Sequence, residues 1–237
     1  MSRGFRARPW LGVLLALGAS AALLGCGGSG DAGDARLSAE AQLGEKIFSD
    51  VSLSASGRQS CATCHDAARG HAANNALPAQ LGGPDGTLQG VRNTPGIRYL
   101  ASNTPFFFDE EGTPTGGFFW DGRAATLAEQ AAGPFLNPLE MANPDKASVI
   151  TKLAAAPYAA EFRRVYGDAI FSDVEGAYQR LTEALQRYQL EDVEFNAFTS
   201  KYDAYLRGTA QLSAQEARGL ALFNEPTKGN CAACHPS

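Results

Sequence analysis

The pentapeptide Cys61-Ala62-Thr63-Cys64-His65 returns near the carboxyl end as Cys231-Ala232-Ala233-Cys234-His235. No other feature of the 237-residue chain constrains its fold as tightly. Two thiols separated by two residues can add to the two vinyl groups of one porphyrin. The histidine that follows can then turn under the ring and supply an axial iron ligand. Two disulfides, a zinc site or a thioredoxin-like redox pair would also use cysteine pairs. None of these predicts a histidine directly after both. The pairs also lie too far apart for a usual zinc ribbon, and no strand–helix context for a redox pair surrounds them. The reading is two covalently attached c-type haems, with His65 and His235 as iron ligands.

Export is consistent with that reading, since such haems are attached outside the cytoplasm. Arg3, Arg6 and Arg8 precede an apolar stretch from Trp10 to Leu24, the pattern of a signal peptide over residues 1–25. It closes with Leu23-Leu24-Gly25-Cys26, which resembles a bacterial lipoprotein signal in which Cys26 becomes the acylated first residue. The alternative is an ordinary signal peptide followed by a free thiol. Residues 26–36, with Gly27-Gly28-Ser29-Gly30, suit a flexible tether to a membrane held by lipid chains. The expected location is the periplasm. With 20 Lys+Arg against 25 Asp+Glu the chain is acidic, which argues against nucleic-acid binding, and 44% hydrophobic residues exclude disorder.

The chain repeats itself once more. Leu37-Ser38-Ala39 through Gly44 to Ile47-Phe48 aligns without gaps against Leu212-Ser213-Ala214 through Gly219 to Leu222-Phe223, and each copy precedes a haem motif. Both copies read as short helices with a serine N-cap, and Ser213 with Glu216 forms a capping box. Glycine and phenylalanine fall four apart on one face, where a second helix can approach closely. The expectation is an all-α protein of two cytochrome c-like domains in series. The first would span residues 37–205, and residues 206–237 would begin the second; the resemblance set out below implies a peroxidatic role for the first and an electron-transfer role for the second. Residues 70–119 are rich in Gly, Pro and Asn, show no helical or strand period, and read as a long loop that could wrap a haem. Helices are expected over 127–132, capped by Thr126 and Glu129, and around Val149, Ile150 and Leu153. A longer one is expected after Ser172 and Glu175, with Val174, Ala177, Tyr178, Leu181, Leu185 and Tyr188 on one face.

Further motifs carry a resemblance. Arg92-Asn93-Thr94-Pro95, Trp120-Asp121-Gly122-Arg123, Leu127, Gln130, Pro134 and Pro138-Leu139-Glu140-Met141, together with the haem motifs, resemble the bacterial di-haem cytochrome c peroxidase family, MauG-like members included. The match runs from about Leu37 to the carboxyl end. It implies a low-potential haem at His65 that meets hydrogen peroxide. It also implies a high-potential haem at His235, fed by a small redox protein such as a cytochrome c or a cupredoxin. Glu140 matches the family's distal acid, Gln130 its distal amide, and Trp120 the aromatic between the haems. Asn93 matches the side-chain ligand of an interdomain calcium, and Arg123 is a candidate for a haem propionate or for the surface. A homodimer is compatible with the resemblance. Taken singly, Glu140 could be a helix-entry carboxylate, Gln130 a solvated helix residue and Trp120 part of a core.

Two departures matter. Many family members close the first iron with a histidine from the loop after its haem motif. Here the one remaining histidine of three, His71, lies only six residues after His65, which should leave it on the proximal side or at the haem edge. A first haem open to peroxide without reductive activation is expected. The chain also stops two residues after His235, and its only methionines are Met1 and Met141, so a truncated product without the second iron's other ligand is expected. The leading function is reduction of hydrogen peroxide to water. The alternatives are a MauG-like oxidase that modifies a partner protein, a non-catalytic di-haem electron carrier, and a remnant without function.

Overall fold

The computed structural model describes residues 37–235. The signal peptide, the Cys26 lipid site and the tether lie outside the described residues.

Helix α1 (Ala39–Ser49) starts where Ser38 accepts a hydrogen bond from the Ala41 N–H at 3.1 Å. It buries Leu43, Ile47 and Phe48. A single turn, α2 (Cys61–Cys64), carries the first haem motif. The expected loop over 70–119 contains two small antiparallel ladders. One pairs β1 (Leu81–Gly82) with β2 (Leu88–Gln89), and the other pairs β3 (Phe107–Phe108) with β4 (Pro114–Thr115). The class is therefore mainly α rather than all-α. Two-residue strands are too short to show a period of two, so they were invisible to a pattern reading.

Four helices follow: α3 (Leu127–Leu136), α4 (Lys146–Ala155), α5 (Ala159–Tyr166) and α6 (Val174–Glu191). Thr126 caps α3 as expected, accepting from the Glu129 N–H at 3.1 Å. The Glu129 carboxylate reaches one residue further back, to the Ala125 N–H at 2.7 Å. The helix runs on past 132 because Phe135, 1% exposed, anchors its last turn in the core. Asp173, not Ser172, caps α6, accepting from the Gly176 N–H at 3.0 Å. Ser172 ends a preceding 3-10 turn and donates its hydroxyl to the Ala169 carbonyl. The expected face of α6 is correct: Ala177, Tyr178, Leu181, Leu185 and Tyr188 are buried, while Val174 is only partly so.

Helix α6 is the spine. It packs on α1, on α3 and on α4, and Tyr178 donates its hydroxyl to the Ala132 carbonyl of α3 at 2.6 Å. Gly44 lets α1 lie against α6 so closely that a Cβ there would collide with the Ala184 carbonyl and the Tyr188 Cβ. The chain ends in α7 (Lys201–Leu206) and α8 (Ala214–Asn224). Helix α8 has the same 11-residue length as α1 and the expected Ser213–Glu216 capping box. Its glycine, Gly219, meets nothing within 4 Å among the described residues. The repeat therefore predicts opposite outcomes at equivalent positions. Gly44→Ala should destabilise the protein by about 1–3 kcal/mol through overpacking against backbone. Gly219→Ala should stabilise α8 by up to about 1 kcal/mol through helix propensity alone. Thermal unfolding of the two variants checks the contrast.

Candidate active site

The first Cys-x-x-Cys-His motif is fixed by the protein's own hydrogen bonds. Ser60 donates its N–H to the Thr63 hydroxyl at 3.0 Å, which fixes the entry to α2. The His65 N–H then closes the turn on the Cys61 carbonyl at 2.8 Å. The His65 Nδ1 lies 3.0 Å from the carbonyl oxygen of His71. A carbonyl only accepts, so Nδ1 carries the proton and Nε2 keeps its lone pair for a metal. Burial pushes the imidazole below its ordinary pKa, with the His71 and Pro95 carbonyls pulling the other way, so the neutral ligand form is favoured.

His71 sits behind this ligand. Its backbone adopts a left-handed φ of 55°, an uncommon and strained choice for a non-glycine residue, and this aims its carbonyl at His65. The side chain is 2% exposed, stacked on Phe195 with centroids 4.1 Å apart, and accepts at Nδ1 from Arg98 Nε at 3.2 Å. It is thus held beside His65 by packing and by its own backbone.

Cys61 and Cys64 are free thiols. Burial pushes Cys61 up to about 12 and raises Cys64, with the charge of Glu140 adding to both. The donor set fits a c-type haem: two thiols for the vinyl groups and one imidazole nitrogen for the iron.

Glu140 projects from a clamped turn after α3. Its carbonyl accepts from the Gly83 N–H at 2.8 Å, and a Cβ on Gly82 would strike the Leu139 carbonyl and the Glu140 Cα. Only glycine lets β1 approach so closely. The same strand accepts from Gln59 Nε2, at the Leu81 carbonyl, 3.0 Å away. Only Ser60 separates Gln59 from Cys61, so β1 ties the haem motif and the Glu140 turn to one support. A second tie lies beneath it. Asn143, 3% exposed, donates to the Leu53 and Phe135 carbonyls at 2.8 and 2.9 Å and accepts from Lys152 Nζ at 2.6 Å. Lys152 also donates to the Ser54 carbonyl, and the Ala55 N–H donates to Met141 O. Desolvation raises the Glu140 pKa, while a hydrogen bond from Asn137 and the charge of Arg123 oppose the rise. Arg123 belongs to the Trp-Asp-Gly-Arg motif, so a charge from that motif acts on this carboxylate.

That motif is in turn fastened to Arg92-Asn93-Thr94-Pro95. The Trp120 indole donates to the Asn93 carbonyl at 2.8 Å, and Asp121 bridges Arg92 at 2.9 Å and Arg123 at 2.6 Å. The paired guanidinium groups hold the Asp121 carboxyl at about 2, with Arg123 the larger influence. Arg123 also lies over the Phe119 ring at 3.6 Å. Trp120 itself is 62% exposed, presented at the surface rather than used as core. Gln130 is half-buried on α3. Four residues on, Pro134 has no N–H to offer the Gln130 carbonyl, so the helix ladder lapses beside it. The Asn93 side chain is exposed, and among the described residues no group of three or more His, Cys, Asp or Glu side chains could hold a metal ion.

The second haem motif has the same backbone closure: the His235 N–H donates to the Cys231 carbonyl at 2.8 Å. Cys231, Cys234 and His235 are all exposed, beside the end of α8. Several supporting residues escaped the sequence reading, namely Asn137, Asn143, Lys152, Arg98 and Gly82. The Asn-Pro dipeptides at 137–138 and 143–144 were the available signal, since asparagine before proline marks a turn.

A family profile described as di-haem cytochrome c peroxidase matches residues 38–211. The chain belongs to that family. It is 42% identical over 199 residues to the methylamine utilization protein MauG of Paracoccus denitrificans, covering 82% of this chain and 50% of that one. It is 32% identical over 195 residues to the cytochrome c551 peroxidase of Pseudomonas aeruginosa, covering 82% and 49%. Among solved structures, the diheme peroxidase BthA of Burkholderia thailandensis superposes with a TM-score of 0.77 at 38% identity, covering 83% of this chain and 48% of that one. The chain spans about half the length of the curated relatives it matches.

Proposed function

We propose that the protein reduces hydrogen peroxide to water at a haem attached through Cys61 and Cys64 and ligated by His65. Two electrons would come from a small redox protein by way of a second haem at Cys231, Cys234 and His235. The observation that carries this reading is the Glu140 carboxylate, gripped by Asn137 on a clamped turn whose support, β1, also holds the entry to the haem motif. The bound iron would supply the reductive cleavage of the O–O bond. The protein's own residues would manage protons and placement. The ionised Glu140 takes the proton from the near peroxide oxygen and returns it to the far one, which leaves as water. A raised pKa suits a group that must both accept and give a proton near neutrality. The Gln130 amide can hold the peroxide by hydrogen bonding without competing for that proton. Trp120, exposed and fixed to Asn93, offers a π-system for electron entry. The burial of His71 behind His65 supports a first haem that reacts without prior reduction.

A second reading, a MauG-like oxidase that modifies a partner protein, is favoured by the 42% identity to MauG against 32% to the cytochrome c551 peroxidase. One experiment separates the two. Steady-state turnover with peroxide and a reduced cytochrome c or cupredoxin supports the peroxidase. No turnover, with a covalently altered protein partner found by mass spectrometry, supports the oxidase.

We place the protein in the periplasm, anchored through Cys26. No described helix is long and apolar enough to cross a membrane. An unmodified thiol on Cys26 in the mature protein would contradict the anchor.

A further inference from the structure

We propose that Asn137 is the positioning residue for Glu140, holding the carboxylate with its side-chain amide and folding the turn that presents it. The inference rests on the reading of Glu140 as the acid–base residue. Asn137 is the C-cap of α3, where its N–H still reaches the Gly133 carbonyl at 3.1 Å. Its Oδ1 accepts from the Leu139 N–H at 3.0 Å, closing a side-chain turn around Pro138. Its backbone carbonyl accepts from both Glu140 and Ala142 N–H groups at 3.0 Å. Its Nδ2 donates to Glu140 Oε1 at 2.7 Å. One side chain therefore shapes the turn through its oxygen and grips the acid through its nitrogen. Only asparagine at this length does both: aspartate keeps the acceptor and loses the donor, and alanine loses both.

The grip has a chemical consequence. An amide donor favours the ionised carboxylate, the form able to take a proton from peroxide. Around Glu140 the charged and titratable groups are Arg123, which favours ionisation, and the Cys61 and Cys64 thiols, whose pKa values its charge raises. Desolvation works against ionisation, and Asn137 is the neutral group that offsets it. Without this donor, Glu140 should be protonated at higher pH, and the acid limb of the peroxide reaction should move up with it.

The test uses haem-loaded protein with carbon-13 glutamate. Infrared difference spectra across pH follow the protonated Glu140 carbonyl stretch, assigned by its loss in Glu140→Gln. In Asn137→Asp the Glu140 midpoint should rise by about one pH unit or more, the worth of one hydrogen bond to a charged group plus a like charge. Asn137→Ala should move it the same way by less. The acid limb of the peroxide rate, measured in parallel, should shift by the same amount in each variant. A haem-loaded Asn137→Asp protein with an unmoved midpoint overturns the proposal and leaves the role of Glu140 standing. A midpoint that moves while the acid limb stays fixed overturns the acid–base reading of Glu140, and the functional half of the proposal with it. If Asn137→Asp takes up no haem, Asn137→Ala carries the same measurement.

Discussion

Glu140→Gln should lower the peroxide-dependent rate by about 10²–10⁴-fold, the usual worth of a positioned general acid–base group. Glutamine keeps the size of the side chain, and its Oε1 can still accept from Asn137 Nδ2, now 2.7 Å from the carboxylate. The supports of the turn are untouched: the Gly83 N–H bond to the Glu140 carbonyl and the Asn143–Lys152 network involve no atom of the Glu140 side chain. Haem content and melting temperature should therefore stay near wild type while turnover falls. The loss should persist across pH, because glutamine cannot titrate. Stopped-flow mixing with peroxide measures the rate, and a near wild-type value at full haem content would remove the proton-transfer role.

The second large effect is on cofactor retention. A Cys61→Ser, Cys64→Ser double variant should lose covalent haem at the first motif, which halves the haem that survives denaturation if the second motif is loaded. Serine is close in size, and α2 is capped by Ser60 and Thr63 rather than by the cysteines, so the turn itself should persist. His65 should still face the His71 carbonyl, so any haem at this site should be held only reversibly, through iron and packing. Peroxide reactivity should be lost from denatured-and-refolded material, whereas the equivalent change at Cys231 and Cys234 should leave the first site's peroxide reactivity in place. Haem staining on a denaturing gel, with intact mass, counts the attached groups.

What could be read from the chain alone follows from how local the signals are. The proposed haem attachment rests on five consecutive residues, so Cys61, Cys64 and His65 can be nominated without a fold. Helices α1 and α8 announced themselves through serine caps and a glycine–phenylalanine face. Glu140, Gln130 and Trp120 were reachable only through a resemblance, because a single carboxylate, amide or indole has many uses. The strands at 81–82 and 107–108 were not legible, since two residues carry no period. Nor was the support of the site. Gly82 against Leu139, Asn143 against Leu53 and Arg98 against His71 are contacts between residues far apart in sequence. The α6 cap was misassigned by one residue because Asp173 and Ser172 are adjacent cap formers, and only the 3-10 turn that occupies Ser172 decides between them.

The central claim is that the iron held by His65 meets peroxide directly, with Glu140 serving the proton transfer. The most direct measurement is the optical spectrum of the oxidised, haem-loaded protein in the first moments after mixing with one equivalent of hydrogen peroxide. The account predicts a rapid change in the haem bands without prior reduction, much slower in Glu140→Gln. A low-spin, bis-histidine spectrum that peroxide leaves unchanged would contradict it.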